Sequence, residues 1–112
     1  MLTLKDFTMT VDEQIINAIN NHQRMVILYK DANDDVAVER TFDAWTYGEA
    51  LLATGTKQPM IGGKFVGEHV ARIKFDRIES VKAVLTESAE APIASTPGSK
   101  KGWTWETVYA SW

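Results

Sequence analysis

The apolar positions fall into one helical stretch followed by a series of short strand-like runs. Val11, Ile15, Ala18, Ile19 and His22 recur at spacings of three and four, which places them on one stripe of a helix over residues 11–21. Thr10 stands where an N-cap belongs, and Glu13 completes a capping box three residues later; Asn20 and Asn21 suit the helix end. Met25-Val26-Ile27-Leu28-Tyr29 is a continuous apolar run rich in strand formers. Residues 31–35 make a polar turn with Asn33-Asp34 at its tip. Residues 36–45 pair back as a hairpin, with Val36, Val38, Arg40 and Phe42 on one face. Tyr47-Gly48 reads as a further turn and residues 49–56 as a third strand centred on Leu51 and Leu52. Pro59, Gly62 and Gly63 mark residues 57–64 as a loop. Residues 64–75, weighted by Val66, Val70, Ile73 and Phe75, form a fourth strand, and residues 78–85 a fifth.

Five short strands joined by tight turns leave long edges unless the sheet closes, so the pattern predicts a mainly β (α+β) domain. Its form would be a small SH3/Sm-like five-stranded barrel led by one helix and spanning residues 1–85. Beyond Leu85 the composition changes. Residues 86–102 (TESAEAPIASTPGSKKG) are rich in small residues, Ser, Thr and Pro and read as a flexible linker. Residues 103–112 (WTWETVYASW) hold three of the four tryptophans. The even spacing of Trp103, Trp105 and Tyr109 predicts one shared face of a strand-like tail that ends at Trp112. Such aromatics need cover. The linker reaches roughly 50 Å when extended, so the tail has three destinations: its own barrel, a twin subunit, or a protein partner. Docking, or swapping in a homo-oligomer, is preferred over a dedicated partner.

Composition narrows the function classes. The chain has 112 residues, 45% hydrophobic and 24% charged, which suits one globular domain. It has no cysteine, hence no disulfide framework and no thiolate chemistry. No apolar run approaches the ~20 residues of a membrane span, and acidic residues stand where a signal peptide would be apolar, so a cytoplasmic location is expected. The net charge of −3 argues against a general nucleic-acid coat. Its distribution is uneven, however. Residues 31–49 hold six acids and only Arg40 as a base, whereas residues 57–82 hold Lys57, Lys64, Arg72, Lys74, Arg77 and Lys82 against three acids. One face of the molecule can therefore be basic.

Arg72-Ile73-Lys74-Phe75-Asp76-Arg77-Ile78-Glu79-Ser80-Val81 carries the most specific pattern. With the helix residues Ile16, Ala18 and Ile19 and the strand ending at Tyr29, it resembles WYL domains over about residues 12–85. Glu49-Ala50-Leu51 stands where that family has Trp-Tyr-Leu, and Ala71 where it has an earlier arginine, with Arg72 one step later. On a strand one step changes the face. The resemblance implies a stand-alone, divergent WYL-like barrel acting as a regulatory binding domain. Its ligand would be anionic, a nucleotide or single-stranded nucleic acid, met by Tyr29, Arg72, Lys74 and Arg77. In the family such a domain usually follows a helix-turn-helix; here only one helix precedes the strands, so the protein would act through another chain or as an accessory. Solitary domains of this sort are common in phages and mobile elements.

The residues allow a structural reading of each candidate as well. Arg77 offers a planar fork for phosphate or carboxylate, or pairs with nearby acids at a turn. Tyr29 lines a pocket or anchors the core. Trp45 and Tyr47 stack on a base or cap a barrel end. Lys64 in Ile61-Gly62-Gly63-Lys64 touches an anion, although the stretch lacks the spacing of a phosphate loop. His22 and His69, the only histidines, have no ligand-like spacing, so no metal and no cofactor are expected. With no nucleophile–base pair either, the chain does not read as an enzyme. The alternative to ligand sensing is an accessory or inhibitor protein that acts by protein–protein interaction through its sheet edge and aromatic tail.

Overall fold

The computed structural model describes residues 9–92 and 104–112. Helix α1 (Val11–Asn20) begins with the capping box read from the sequence. The Glu13 amide donates to Thr10 Oγ1 at 3.3 Å, and the Thr10 amide donates to Glu13 Oε1 at 3.2 Å. Ile15, Ala18 and Ile19 are its buried face. His22 lies just past the helix rather than on its stripe. Its φ of 55° is left-handed, which turns the chain directly into the first strand. Its ring stacks on Trp112 with centroids 3.7 Å apart.

Strands β1 (Gln23–Tyr29), β2 (Val38–Leu51), β3 (Lys57–Phe65), β4 (Val70–Lys74), β5 (Ile78–Ser88) and β6 (Trp105–Ser111) form one antiparallel sheet. A 3-10 turn, Phe75–Arg77, links β4 to β5. The strand order is β4-β3-β2-β1-β5, and β6 also pairs with β2. The sheet does not close: among the described residues β4 and β5 remain its two ends, unpaired with each other. The closed five-stranded barrel is thus replaced by an open six-stranded sheet. The physical reason lies in β2. It is one strand of 14 residues where the sequence suggested two with a turn at Tyr47-Gly48. Along one edge it pairs first with β1 (Val38 to Phe42) and then with β6 (Thr46 to Ala50), while β3 runs along the other edge. Two strands sharing one long edge cover it without closure.

The glycines explain why the turns were misplaced. A Cβ on Gly48 would lie 2.0 Å from the Thr107 carbonyl oxygen, and one on Gly63 would lie 2.1 Å from that of Asp43. These glycines admit a neighbouring backbone rather than break a strand. The stretch read as a loop, residues 57–64, is therefore most of β3. Pro59 sits just outside the part of β3 that β4 pairs, where a missing N–H is tolerated.

A bulge at Trp45 sets which side chains of β2 reach the core. Ala44 pairs with Gly63 and Thr46 with Gly62, leaving Trp45 as the extra residue. The bulge shifts the alternation, so Phe42 and Ala44 before it and Tyr47 after it all enter one core with Ile15, Ile19, Met25, Ile27, Ile61 and Ile73. Asp43 points to the other face, where the chain beyond β5 covers it. That coverage also moves a boundary. β5 continues past Leu85 to Ser88, because Ser88 pairs with Gln23 and the Gln23 side-chain amide donates to the Leu85 carbonyl at 3.2 Å. Part of the segment read as linker is therefore strand; its residues 93–102 lie outside the described residues. Among the described residues no helix is long and apolar enough to cross a membrane.

Candidate functional site

The basic residues singled out in the sequence separate into three places. Lys64, on β3, donates to both carboxylate oxygens of Glu90 at 2.8 and 2.9 Å. It belongs to a latch on the sheet face opposite α1. There the Trp45 indole N–H donates to the Glu90 carbonyl at 2.7 Å, and the Glu90 amide donates to Asp43 Oδ2 at 2.9 Å. Arg24 grips both Asp43 oxygens, at 2.9 and 3.0 Å, and reaches Glu87 at 3.1 Å. The hydrogen bond with Asp43 raises the Arg24 pKa against the lowering effect of burial. With Asp43 only 1% exposed, this network is built into the fold.

Arg72, on β4, faces away from the core residue Ile73. It lies over the Trp105 ring, 5.5 Å from its centroid, and donates to the Thr104 carbonyl at 3.3 Å. Burial lowers its pKa. The Trp105 indole N–H beneath it is buried without a hydrogen-bond partner among the described residues. Arg72 thus covers the tail strand.

Only Lys74 and Arg77 share a place. With Lys30, Asp31, Ala32, Asp76 and Glu79 they line an open depression of about 400 Å³ where β1 leaves the sheet and β5 enters it. The Lys30 amide donates to the Arg77 carbonyl at 2.9 Å, which fixes the 3-10 turn against the end of β1. Arg77 is 3.7 Å from Asp31, a loose and half-exposed pair. Tyr29 lies behind it, buried, its ring tilted against Phe65 at 5.4 Å. Burial first, and then Asp31, raise the Tyr29 phenol, while Arg77 pulls it back. Three bases and three acids line the depression, so its charge is balanced.

The tail strand does not present a single aromatic face. Tyr47 pairs with Ala110 and Gly48 with Val108; Glu49 pairs with Thr107 and Ala50 with Trp105. Tyr109 and Glu106 are therefore extra residues in β6, and two register shifts undo the expected alternation. Trp105 goes to Arg72, whereas Tyr109 goes to the helix side and meets Tyr47 edge-on, centroids 5.2 Å apart. Trp112 stacks on His22, and its amide donates to the Trp45 carbonyl at 2.7 Å. Trp103 lies outside the described residues.

A second cavity, about 590 Å³, opens between α1 and β6 and is lined by Asp12, Ile16, Tyr47, Glu49, Val108 and Tyr109. Tyr109 donates its hydroxyl to Glu49 at 3.0 Å. Tyr47 stacks on Phe75 at 5.3 Å, which fixes its ring. The sequence pattern pointed to Tyr47 and Tyr109 separately but not to this groove. In sequence Asp12 looks like an ordinary acid of a first helical turn, and nothing local joins it to Glu49 or Val108. Comparison with protein-family models, curated proteins and solved structures found no match.

Proposed function

We propose that the protein is a binding module that engages a protein partner through β6 and the groove beside it. One observation carries this reading. Val108 and Tyr109 are 50% and 49% exposed, side by side on β6, at the mouth of a cavity and on a strand whose second edge has no partner among the described residues. An apolar pair beside an open strand edge suits strand addition, in which main-chain bonds give affinity and a flanking pocket gives selectivity. A partner chain or a second copy of this protein can use the same edge. The test is selection of binders from a displayed random-peptide library, counter-screened against Val108→Asp. Selected peptides should bind the native protein, lose at least tenfold affinity for the variant, and perturb β6 amides. Peptides that bind both proteins equally, or no enrichment at all, refute the reading.

A second reading keeps the ligand site implied by the WYL resemblance, at the Lys30–Lys74–Arg77 depression. The convergence of three cations in front of Tyr29 favours it. An anionic group, nucleotide or single-stranded nucleic acid, would take Asp31's place at the Arg77 fork. It would perturb Lys30, Lys74 and Arg77, spare Tyr109, and weaken as salt rises.

A further inference from the structure

The groove between α1 and β6 has a charge pattern that identifies its occupant more closely. Asp12 and Glu49 both line it, and among the described residues neither forms an ion pair; Asp12 accepts a hydrogen bond from the Thr10 hydroxyl and Glu49 one from Tyr109, which leaves both carboxylates charged and facing the groove. The remaining walls are the Tyr47 and Tyr109 rings, Ile16 and Val108. Carboxylates set among aromatic and aliphatic walls match a cation carried on an apolar stem. The ring faces attract the charge and the walls cover the methylenes. We infer that this groove takes a lysine or arginine side chain presented by the protein partner. The inference rests on the partner-binding reading of β6 and adds the chemistry of the contact residue.

Three details agree. The Tyr109 hydroxyl hydrogen bond holds Glu49 in place over the cavity, so the carboxylate needs little reordering to meet a cation. The Tyr47–Phe75 stack and the Tyr47–Tyr109 edge contact hold the walls rigid. The Tyr47 phenol is pushed up by burial first and then by Asp12, Tyr109 and Glu49, which marks a negative local potential. Such a site refuses anions, so it is separate in chemistry as well as place from the Lys74–Arg77 depression.

The experiment is an NMR titration of the full chain with three short peptides of alternating valine and threonine. They differ only at a central arginine, lysine or citrulline. The arginine and lysine peptides should shift the amides of Asp12, Tyr47, Glu49 and Tyr109, and the citrulline peptide should bind at least tenfold more weakly. Asp12→Asn and Glu49→Gln should each weaken the arginine peptide about tenfold, the value of one charge-assisted contact. Equal binding of arginine and citrulline peptides, or no effect of either substitution, overturns the inference. If library peptides bind through β6 but contain no basic residue at the groove, the cation claim falls while the partner reading stands. Lys5 precedes α1 in the chain. A Lys5→Ala variant that binds the arginine peptide more than tenfold tighter would show the groove to be filled by the protein's own lysine, and would overturn the assignment to a partner.

Discussion

Removing Arg24 should cost the fold more than removing Asp43, although the two form one ion pair. Asp43 is 1% exposed and accepts three hydrogen bonds, two from Arg24 and one from the Glu90 amide. Arg24→Ala leaves that carboxylate buried with one donor, and stranding a buried charge costs about 3–5 kcal/mol. In Asp43→Ala the guanidinium, 19% exposed, keeps Glu87 and reaches water. What is lost is its charge-assisted bonds and the acceptor for the Glu90 amide, together about 2–3 kcal/mol. At roughly 4 °C per kcal/mol for a domain near this size, the shifts in Tm are about 12–20 °C and about 8–12 °C. Urea unfolding followed by tryptophan fluorescence gives both free energies, and thermal unfolding gives both shifts in Tm. Hydrogen exchange at the Glu90 amide should speed up in Asp43→Ala, because the acceptor of that amide is gone. The double variant should lose clearly less than the sum of the two singles. Equal losses for the two single variants, or losses below about 1 kcal/mol, would refute the claim that the latch is a buried, fully bonded network.

Gly48→Ala should release β6 from β2, because its Cβ would meet the Thr107 carbonyl at 2.0 Å and both partners are backbone; exchange protection across β6 should collapse while that of the β1–β5 pair persists, and retained protection in β6 would contradict the geometry. All three tyrosines, Tyr29, Tyr47 and Tyr109, should ionise above the ordinary value of 10.0 in the native protein, the first two chiefly through burial and the third chiefly through its hydrogen bond to Glu49. A folded pKa raised above the unfolded one leaves stability intact below pH ~10 and erodes it as pH rises through the folded values, so alkaline unfolding should accompany phenolate absorbance; a native tyrosine titrating at or below about 10 would disprove the assignment.

The helix was legible because its signals are local: Thr10, Glu13 and the Ile15–Ala18–Ile19 stripe lie within ten residues of one another and mean the same thing wherever the chain goes. β1 and the mainly β class were legible for the same reason. What failed depended on distant chain. Gly48 and Gly63 look like turn residues until the carbonyls of Thr107 and Asp43 are brought against them. Pro59 reads as a breaker unless β4 is known to stop one residue short of it. The alternation in β6 broke at Glu106 and Tyr109 because register is set by pairing with β2, and a bulge leaves no mark in residue type. The site residues divide on the same line. Lys74 and Arg77 adjoin one turn and stay together. Lys64 and Arg72 were grouped with them by charge and lie on the same sheet face as Lys74, but distant chain takes each of them elsewhere: Lys64 goes to Glu90, and Arg72 to Thr104 and Trp105.

The placement of the tryptophans limits what the tail can offer a partner. A sequence with three tryptophans in its last ten residues invites the idea that they bind something. Trp105, however, is held under Arg72, and Trp112 lies on His22 with its amide on the bulged Trp45 carbonyl. Trp45, the remaining tryptophan of the described residues, is fully buried and holds Glu90 over the outer sheet face. A partner that captured the whole tail would have to strip β6 from β2 and break the Trp112–Trp45 hydrogen bond at the bulge. It would also expose Gly48 and Ala50, which have almost no side chain to cover the sheet. The large apolar side chains that β6 still exposes to an interaction that leaves the fold intact are Val108 and Tyr109, beside the strand edge. These sit beside Asp12 and Glu49, so any such partner meets carboxylates as well as apolar surface. The described tryptophans complete the fold, and among the described residues of the tail region that leaves the tyrosine-lined groove, with two acids outside any ion pair, as the surface available for recognition.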